Sequence, residues 1–390
     1  MPSHDSTCEF DVAILGGGPV GSVLALLLAK LSPTPERIVL LQSDSASRYG
    51  YAPETDPRVL AVNHGSRVLL ESLNAWPERC ADIRTIHVSQ RGRLGSTLIK
   101  QTDFDVPQLG CVVRYGALIQ QLTHAVKASG VSVRHAAAAE IVCQHATSVE
   151  LSQGQGTLHA AIAVQADGGS PTEIRRTYKQ MALLTKVRAS IPRAGWAFER
   201  FTREGPLAVL PHPEAADQQS VVWCCTPKRA EQLHKLNPKD FSLALTQAFG
   251  TRLGSLEVQD KVSMFPLALS VRATPVDGRI VSIGNAAQTL HPVAGQGLNL
   301  GLRDAASLAI ALRDWMVLSN QQPSVALRQF LQMRQPDRQL TTRLTDLMSR
   351  VFTSGWPVVE HSAGLALLAM DMLPGLRAPL ARHLLQGLRL

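Results

Sequence analysis

Residues 12–21 read VAILGGGPVG, and this stretch decides the fold. Its apolar residues predict the end of a strand, and a run of Leu and Ala after the glycines predicts a helix. Gly16, Gly18 and Gly21 have the GxGxxG spacing. The first glycine permits a tight turn, the second lets a pyrophosphate approach the backbone, and the third lets the helix pack on the strand. Because phosphates bind at the positive end of a helix, the stretch predicts a dinucleotide site.

The next segment completes a βαβ unit, because residues 37–42 (RIVLLQ) predict a second strand. In dinucleotide-binding units an acid at the end of this strand hydrogen-bonds the adenosine ribose. This chain has Gln42 there, and Asp44 is the nearest acid. An amide can also bond a ribose hydroxyl, so Gln42 is a candidate ligand; the alternative is that Gln42 merely ends the strand.

A second glycine-rich segment, residues 284–301, reads GNAAQTLHPVAGQGLNLG and lies between a predicted strand at 280–283 and a predicted helix at 298–318. This segment resembles the loop that faces the isoalloxazine ring in flavin-dependent aromatic hydroxylases. In that pattern Gly284 is followed by an Asp that bonds the ribityl chain, whereas this chain has Asn285. The helix would point its positive end at the flavin and stabilise the negative charge that develops on reduction.

Several other segments resemble the same proteins. Asp167-Gly168 resembles a motif that supports the FAD pyrophosphate, and Arg58 and Arg114 match arginines near the flavin and an FAD phosphate. Taken alone, each arginine is an ordinary surface charge. Together the segments span essentially the whole chain, which resembles the ubiquinone-biosynthesis hydroxylase family of class A flavoprotein monooxygenases.

This resemblance implies an α/β fold. We expect an FAD-binding Rossmann-like domain of the p-hydroxybenzoate-hydroxylase type, with an interleaved β-sheet substrate domain and C-terminal helices. The expected boundaries are 1–75, 108–178 and 276–330 for the FAD-binding domain, 76–107 and 179–275 for the substrate domain, and 331–390 for the C-terminal helical segment.

The resemblance also implies the site residues. Pro292 would rigidify the loop against the flavin, the glycines at 295 and 297 would let backbone approach its edge, and Asn299 would cap the helix or bond the ring. His291 has an alternative role as a structural histidine of the loop. The candidate catalytic residues are His291, Pro292 and Gln296. The candidate cofactor-binding residues are Gly16, Gly18, Gly21, Gln42, Arg58, Arg114, Asp167, Gly284, Asn285, Gly295, Gly297, Leu298 and Asn299.

The implied chemistry is hydroxylation of a phenol ring through a flavin hydroperoxide. NAD(P)H would reduce FAD without a domain of its own, since there is no second dinucleotide fingerprint. Most of the family carries His where this chain has Gln288, and the segment 284–292 is most similar to the branch that hydroxylates 2-octaprenyl-6-methoxyphenol. Three alternatives stay open: a hydroxylase of another aromatic substrate, a flavin-dependent reductase of the same fold, and a flavin-binding scaffold without catalysis.

Composition limits the class of protein and its expected location in the cell. The chain has 390 residues, 45% of them hydrophobic, a formal charge of +8, and no apolar run long enough for a spanning helix. Its six scattered cysteines and twelve histidines predict reduced thiols and no metal site. Its basic residues are dispersed and its aromatics scarce, which argues against nucleic acid. We expect a cytoplasmic protein whose apolar C-terminal segment either packs on the protein or contacts the inner membrane face or other ubiquinone-biosynthesis proteins.

Overall fold

The computed structural model describes most of the chain. It covers residues 8–43, 51–52, 54–93, 95–136, 139–154, 156–169, 175–290, 295–318, 321–351, 356–373, 375, 378–379 and 381–383. Within these residues the strands are β1 (Phe10–Leu15), β2 (Ile38–Ser43), β3 (Val59–Asn63), β4 (Ala81–Ile83), β5 (Thr85–Gln90), β6 (Ser96–Lys100), β7 (Gly110–Arg114), β8 (Ser132–Ala136), β9 (Glu140–Gln144), β10 (Val149–Gln153), β11 (Gly156–Gln165), β12 (Arg175–Ala189), β13 (Trp196–Phe201), β14 (Pro206–Pro211), β15 (Gln218–Cys225), β16 (Leu256–Val258), β17 (Ser263–Val271), β18 (Val276–Asp277), β19 (Ile280–Ser282) and β20 (Gln288–Thr289). The helices are α1 (Pro19–Ala29), α2 (His64–Ser72), α3 (Tyr115–Lys127), α4 (Pro227–His234), α5 (Pro238–Phe249), α6 (Gln296–Val317), α7 (Ser324–Val351) and α8 (Pro357–Met372).

The first sheet has a parallel centre, in the order β8-β2-β1-β11-β19. The short β18 extends it beyond β19. Strand β10 pairs antiparallel with the first half of β11, and β9 pairs antiparallel with β10. With β1 central and α1 connecting it to β2, this is the strand order of a dinucleotide-binding fold. It confirms the α/β, Rossmann-like architecture predicted from the glycine loop.

Both faces of this sheet are covered, and β1 is buried along its whole length. Helices α1, α3 and α6 pack on one face, where Leu24, Leu122 and Leu312 lie in a single core. The antiparallel strands β9 and β10 cover the other face, where Phe10 packs with Leu151. Strands buried on both faces are rich in apolar residues, which explains the apolar run from Val12 to Leu15 in β1; the buried Asp11 of the same strand pairs with Arg37.

The second sheet has the order β20-β17-β12-β15-β14-β13-β5-β6, with β16 beside β12. Its pairs are antiparallel except for β13 and β5, which run parallel. Helices α4 and α5 pack on one face, and aromatic side chains form the centre of that core. Trp223 meets Phe241 with ring centres 6.0 Å apart, and Phe198 meets Phe249 at 5.4 Å, both edge to face. These are the preferred geometries of aromatic pairs.

A small third sheet, β3-β7-β4, lies beside α6. Helix α2 follows β3 directly because Asn63 caps it: the Asn63 side chain accepts a hydrogen bond from the Ser66 N–H at 2.9 Å. The sheet therefore connects the cofactor side of the molecule with the segments that carry the candidate arginines at 58 and 114.

The C-terminal region is helical, as the sequence predicts. Helix α7 packs along α6, and α8 lies on β5 and β6, where Ala363 and Leu367 meet Val88 and Phe201. Within the described part of the chain, no helix combines the length and apolar content needed to span a bilayer.

The sheets do not divide the chain quite where the sequence places its domain boundaries. Strand β12 begins at Arg175, inside the segment assigned to the FAD-binding domain, and β20 lies in 276–330 yet pairs with β17 of the second sheet. Strand β4 lies in 76–107 but belongs to the third sheet. Segments this short that pair with a different sheet from their neighbours in sequence leave no signal in composition. The domain division therefore stays a prediction.

Close packing of α1 on α6 depends on a glycine at the crossing. A Cβ atom at position 301 would lie 2.7 Å from Cγ2 of Val20 and 3.1 Å from Cα of Gly284. We expect Gly301→Val to lower the free energy of unfolding by about 1–3 kcal/mol through overpacking, in urea denaturation. Gly156→Val is the control, because the nearest atom to a Cβ there is 3.8 Å away. Equal stability of the two variants would contradict this account of the crossing.

Candidate cofactor site

The carboxyl ends of four parallel strands meet at one edge of the first sheet. The Gly16 N–H donates to the Leu41 carbonyl at 2.9 Å, and the Ala166 N–H donates to Leu15 at 2.8 Å. The Ile283 N–H donates to Gln165 at 3.0 Å. These bonds bring together the loops that follow β1, β11 and β19, which are the loops that the sequence assigns to the cofactor. Ligands of open α/β sheets bind at this edge.

The three glycines of the first loop have separate roles. Gly16 has φ +113°, and a Cβ atom there would lie 2.5 Å from Cα of Asp167. A Cβ atom at Gly21 would lie 2.0 Å from the Gly16 carbonyl oxygen. Both positions are therefore closed to larger residues. At Gly18 a Cβ atom would meet nothing within 4 Å in the described structure, so this backbone faces open space.

Gly18 is also the N-cap of α1, and Pro19 is the first helical residue. Among the described residues no side chain caps this end, and its first turn has no acidic residue. An uncapped N-terminus presents backbone N–H groups and the positive end of the helix dipole to a ligand. The geometry suits a pyrophosphate placed against Gly18.

Gln42 and Asp167 both lie against this loop. A Cβ atom at Gly17 would be 2.4 Å from Cγ of Gln42, so the Gln42 side chain packs on the glycine loop. The Asp167 carboxylate accepts a hydrogen bond from the Gly169 N–H at 3.0 Å, which holds the turn after β11. The structure therefore brings Gly16, Gln42 and Asp167 together, as the sequence predicts for ligands of one cofactor.

The second loop starts beside the first. Gly284 has φ +59°, and a Cβ atom there would lie 3.2 Å from Val20 in the first turn of α1. Asn285, which follows it, is exposed, and its backbone carbonyl accepts from the Thr289 hydroxyl at 3.4 Å. Within the described residues its side chain makes no hydrogen bond, so the amide is available to a ligand. Its role as a ribityl contact stays a prediction.

Helix α6 begins at Gln296, two residues earlier than expected. Its N-cap is Gly295, which has φ +59° and whose Cβ would lie 3.0 Å from Cβ of Ala61. A Cβ at Gly297 would meet nothing within 4 Å in the described structure, as at Gly18. Gln296 is buried, and Leu298 packs against the core of the first sheet. The first turn of α6 has no acidic residue, so a second positive helix end faces the cofactor side.

Asn299 is fully engaged with the protein. Its Oδ1 accepts from the Asn63 N–H at 2.9 Å, and its Nδ2 donates to the carbonyls of Ala61 at 3.0 Å and Gly295 at 2.8 Å. The amide thus fixes the start of α6 against β3. This placement makes Asn299 a positioning residue for the start of α6, and its predicted role as a helix cap or a ring contact stays a prediction.

Arg58 and Arg114 lie at the same end of the third sheet. Arg58 directly precedes β3, and Arg114 is the last residue of β7. Arg58 pairs with the buried Asp56 carboxylate, its Nε 2.9 Å from Oδ1, and its guanidinium lies 4.0 Å from the centre of the Tyr115 ring. Arg114 donates to the Glu54 carbonyl at 2.7 Å and pairs with Glu214 at 3.4 Å. The first is held rigidly, and the second joins the cofactor side to the second sheet.

A buried network behind the second loop was not predicted. Oδ2 of Asp304 accepts from the Gly284 N–H at 3.2 Å and from Gln288 Nε2 at 2.7 Å. Oδ1 of Asp304 accepts from Arg334 Nε at 2.8 Å. Arg338 donates to Oε1 of Gln288 at 2.6 Å. Gln288, on which the sequence-based prediction of the branch rests, therefore joins the loop to both α6 and α7.

The network continues into α7. Asp337 accepts from Arg303 at 2.8 Å and from Arg334 at 2.5 Å. Burial favours its neutral form, but the two guanidinium charges outweigh burial and lower the pKa of Asp337. The Thr341 hydroxyl, one turn on, lies 2.9 Å from His383 Nε2. Arg334, Asp337 and Thr341 share one face of α7 at helical spacing, a polar stripe that could have signalled the network from sequence.

Two candidate catalytic residues, His291 and Pro292, lie outside the described residues. The remaining candidates form two groups: the loop after β1 with Gln42 and Asp167, and the segment from Gly284 to Asn299 with the third sheet behind it. Val20 joins the groups, since it contacts positions 284 and 301. Two uncapped helix ends with open backbone at Gly18 and Gly297 fit a flat, anionic dinucleotide cofactor.

A sequence profile of the FAD binding domain matches residues 9–345. The chain belongs to this FAD-binding family. Its cofactor is therefore FAD, and the residues described above fit it. FAD-binding sequences of this kind are built on the sheet edge and glycine loop seen here.

Named relatives extend over most of the chain. The ubiquinone hydroxylase UbiL of Rhodospirillum rubrum is 28% identical over 97% of this chain and 90% of its own length. The 3-demethoxyubiquinol 3-hydroxylase of Escherichia coli is 26% identical over 93% of this chain and 94% of its own. These relatives confirm the resemblance to ubiquinone-biosynthesis flavin hydroxylases that the sequence motifs predicted.

The fold is also found in solved structures. The p-nitrophenol 4-monooxygenase PnpA of Pseudomonas putida DLL-E4 superposes with a TM-score of 0.74 at 17% identity, covering 98% of this chain and 99% of its own. At this identity the likeness shows the fold alone, and it confirms the predicted fold class.

The open backbone at Gly18 gives a direct test of the FAD site. We expect Gly18→Ala to leave the stability of the apoprotein within about 0.5 kcal/mol, because the added methyl group contacts no protein atom. The methyl group would occupy the pyrophosphate position, so FAD affinity should fall at least tenfold, about 1.4 kcal/mol. Flavin fluorescence titration and urea denaturation measure the two effects, with Gly156→Ala as control. Unchanged FAD affinity would show that the pyrophosphate lies elsewhere.

The Asp304 network gives a second test. In Asp304→Asn one of the three donors must face an amide N–H, so we expect stability to fall by about 3–5 kcal/mol, as when a buried ion pair is broken. FAD affinity should fall as well, since Gly284 and Gln288 lose their anchor. Asp314→Asn, at an exposed position of the same helix, is the control. Urea denaturation with and without FAD measures the stability of each variant and its stabilisation by FAD. The anchoring role would be contradicted if both variants behaved like the parent protein.

Proposed function

We propose that this flavoprotein hydroxylates a polyprenylated phenol in ubiquinone biosynthesis, at the step that acts on 2-octaprenyl-6-methoxyphenol. The observation that carries the proposal is Gln288, which the resemblance ties to that branch. Its side chain is buried and bonded on both sides, to Asp304 and Arg338. The names of the relatives, a ubiquinone hydroxylase and a demethoxyubiquinol hydroxylase, support the pathway.

The chain's own residues supply binding and position. When bound and reduced, FAD activates O2 so that one oxygen atom can be transferred to a phenol ring. The N-terminus of α1 would hold the pyrophosphate of FAD, and the N-terminus of α6, fixed by Asn299, would stabilise negative charge on its ring system. We assign Gly295, Gly297 and Gln296 to the flavin edge, with His291 and Pro292 on the loop before them.

The second sheet supplies the substrate side in this proposal. It is joined to the cofactor loops at two places, the β17–β20 pairing and the ion pair between Arg114 and Glu214 at 3.4 Å. A phenol ring held between the sheet and the flavin would be shielded from water, which prevents unproductive loss of the activated oxygen. We propose NAD(P)H as the reductant, taken up without a separate nucleotide domain.

The polyprenyl tail of such a substrate has to be taken from a membrane. Helix α8 and its N-cap residue carry exposed apolar side chains: the N-cap Trp356 is 73% exposed, Leu365 61% and Met372 72%. Together with the basic character of the chain, this supports a peripheral position at the inner membrane face or contact with other ubiquinone-biosynthesis proteins. Helix α8 packs on β6 through its other face, so those side chains face away from the protein.

Deletion of the gene tests the pathway. Mass spectrometry of quinone intermediates should show the prenylated methoxyphenol accumulating in the deleted strain and disappearing when the gene is restored. The purified enzyme with NAD(P)H should incorporate one atom of ¹⁸O from ¹⁸O2 into the product. The Gly18→Ala variant, which we expect to bind FAD at least tenfold more weakly, is the control and should reduce both signals when FAD is limiting.

Other outcomes separate the alternatives. An unchanged quinone profile with oxygen incorporation into another phenol would favour a hydroxylase of a different aromatic substrate. Oxidation of NAD(P)H with a reduced, unoxygenated product would favour a reductase of the same fold. Purified protein that binds no FAD would favour a scaffold role.

A further inference from the structure

The antiparallel strands β9, β10 and β11 carry a cluster of side chains that the cofactor site does not use. Side chains alternate along a strand, so Leu151 and Leu158 point into the core under the first sheet while Glu150 and His159 point away from it. Glu150 lies directly opposite His159 on β11. The cofactor helices α1 and α6 pack on the other face of the sheet.

A β-bulge adds a cysteine to this outer row. Glu150 lies opposite Cys143 on β9, but the next pair is Leu151 with Ile141, so Val142 is an extra residue. The bulge lets Ile141 pack inward while Cys143 stays on the outer face beside Glu150. Cys143, Glu150 and His159 thus form one row across three strands.

His145 joins the row from the turn between β9 and β10. The turn is closed by a hydrogen bond from the His145 N–H to the Ser148 carbonyl at 2.7 Å. Arg279 fixes it from behind, with Nε donating to the Ala146 carbonyl and Nη1 to the Ala161 carbonyl, both at 3.0 Å. The imidazole is therefore carried on a rigid turn, which is the support that a metal site needs.

The polar atoms of three residues converge on one point. Cys143 Sγ lies 3.1 Å from His145 Nε2 and 3.2 Å from Glu150 Oε2, and those two atoms are 3.5 Å apart. Thiolate, imidazole and carboxylate ligands around tetrahedral zinc are separated by about 3.4–3.6 Å, from the bond lengths of such sites. The three interatomic distances are within about 0.5 Å of that arrangement.

A fourth ligand is available nearby. The ring centres of His145 and His159 are 6.4 Å apart. Two imidazoles on one zinc ion have ring centres about 5 Å apart, so a shift of about 1 Å would bring His159 to the ion. In the described structure Nδ1 of His159 has no hydrogen-bond partner.

A second cluster of similar composition is unsuitable for a metal ion and serves as a comparison. Cys80, Asp82 and Cys111 also lie close together. There the guanidinium of Arg67 fills the space, with Nη1 2.8 Å from Cys111 Sγ and 3.1 Å from Asp82. The guanidinium cation already occupies that cluster. Within the described residues, by contrast, the Cys143 thiol and the Glu150 carboxylate bond only to one another and to His145.

We propose that Cys143, His145 and Glu150, with His159, bind one zinc ion. The mixture of thiolate, imidazole and carboxylate is the ligand set of zinc rather than of magnesium or calcium. On binding, the Cys143 thiol loses its proton to solvent, a sulfur–zinc bond replaces the S–H hydrogen bond to Glu150, and no group changes oxidation state. The ion would tie the β9–β10 turn to β11. The sequence predicts no metal site, because it does not show that Cys143 on β9 and His145 in the turn after it lie beside Glu150.

The test uses the full-length protein with FAD and without a histidine tag. The protein is first stripped of metal with a chelator and dialysed. We expect it then to bind one equivalent of added zinc per chain. Cobalt added in place of zinc should give a thiolate-to-cobalt charge-transfer absorption. Cys143→Ser should abolish that absorption and weaken zinc binding at least about tenfold, measured by competition with a chromophoric chelator. Cys80→Ser, in the cluster filled by Arg67, is the matched control and should bind zinc like the parent protein.

FAD content reports the folding of each variant independently of the zinc site. A second readout is alkylation of Cys143 by iodoacetamide, which zinc should slow in the parent protein. Zinc binding by Cys143→Ser equal to that of the parent would overturn the proposal, as would alkylation at the same rate with and without zinc. Because none of these measurements uses hydroxylation, the result is separable from the proposed function.

Discussion

The close crossing of α1 and α6 is the constraint on which the cofactor site depends. Val20 packs against Gly284 and Gly301, and neither position has room for a side chain. The crossing places two uncapped helix N-termini on the same side of the molecule. Two positive helix ends repel one another, and an anionic ligand between or beside them removes that repulsion. Binding of FAD therefore relieves an electrostatic cost that the packing of the protein imposes.

A single carboxylate then couples the flavin loop to the helices behind it. Asp304 accepts from the Gly284 N–H, from Gln288 and from Arg334, so loop, α6 and α7 share one buried acceptor. Asp337 extends the same arrangement to Arg303. The result is a charged core in which positive and negative groups alternate, and such a core is stable only when every member is present.

The parts of the site that depend on local spacing were predictable from the sequence. Gly16 is needed by the turn after β1, and Gly21 is needed where α1 begins. Gln42 is recognised from its place at the end of a strand. Asn299 could not be assigned in this way, because its partners Asn63 and Ala61 lie more than 230 residues away in sequence. For Arg334 the helical spacing with Asp337 and Thr341 marks a polar stripe, but it does not show that the stripe is buried, since a charged residue on an amphipathic helix is normally solvated. The β9–β10 hairpin was missed because strands of five residues with one bulge give too short an alternating pattern.

Strand β20 has a consequence for how such enzymes diversify. It is two residues long and lies between Gly284 and α6, yet it is an edge strand of the second sheet through its pairing with β17. The loop after β19 and the second sheet, to which we assign the substrate, therefore share a piece of backbone. A second sheet from a relative could not be exchanged as a block without also cutting that loop. Recombination between relatives is therefore restricted to junctions outside the stretch from β17 to α6, and substitutions within the existing sheet are the simpler route to a new substrate preference.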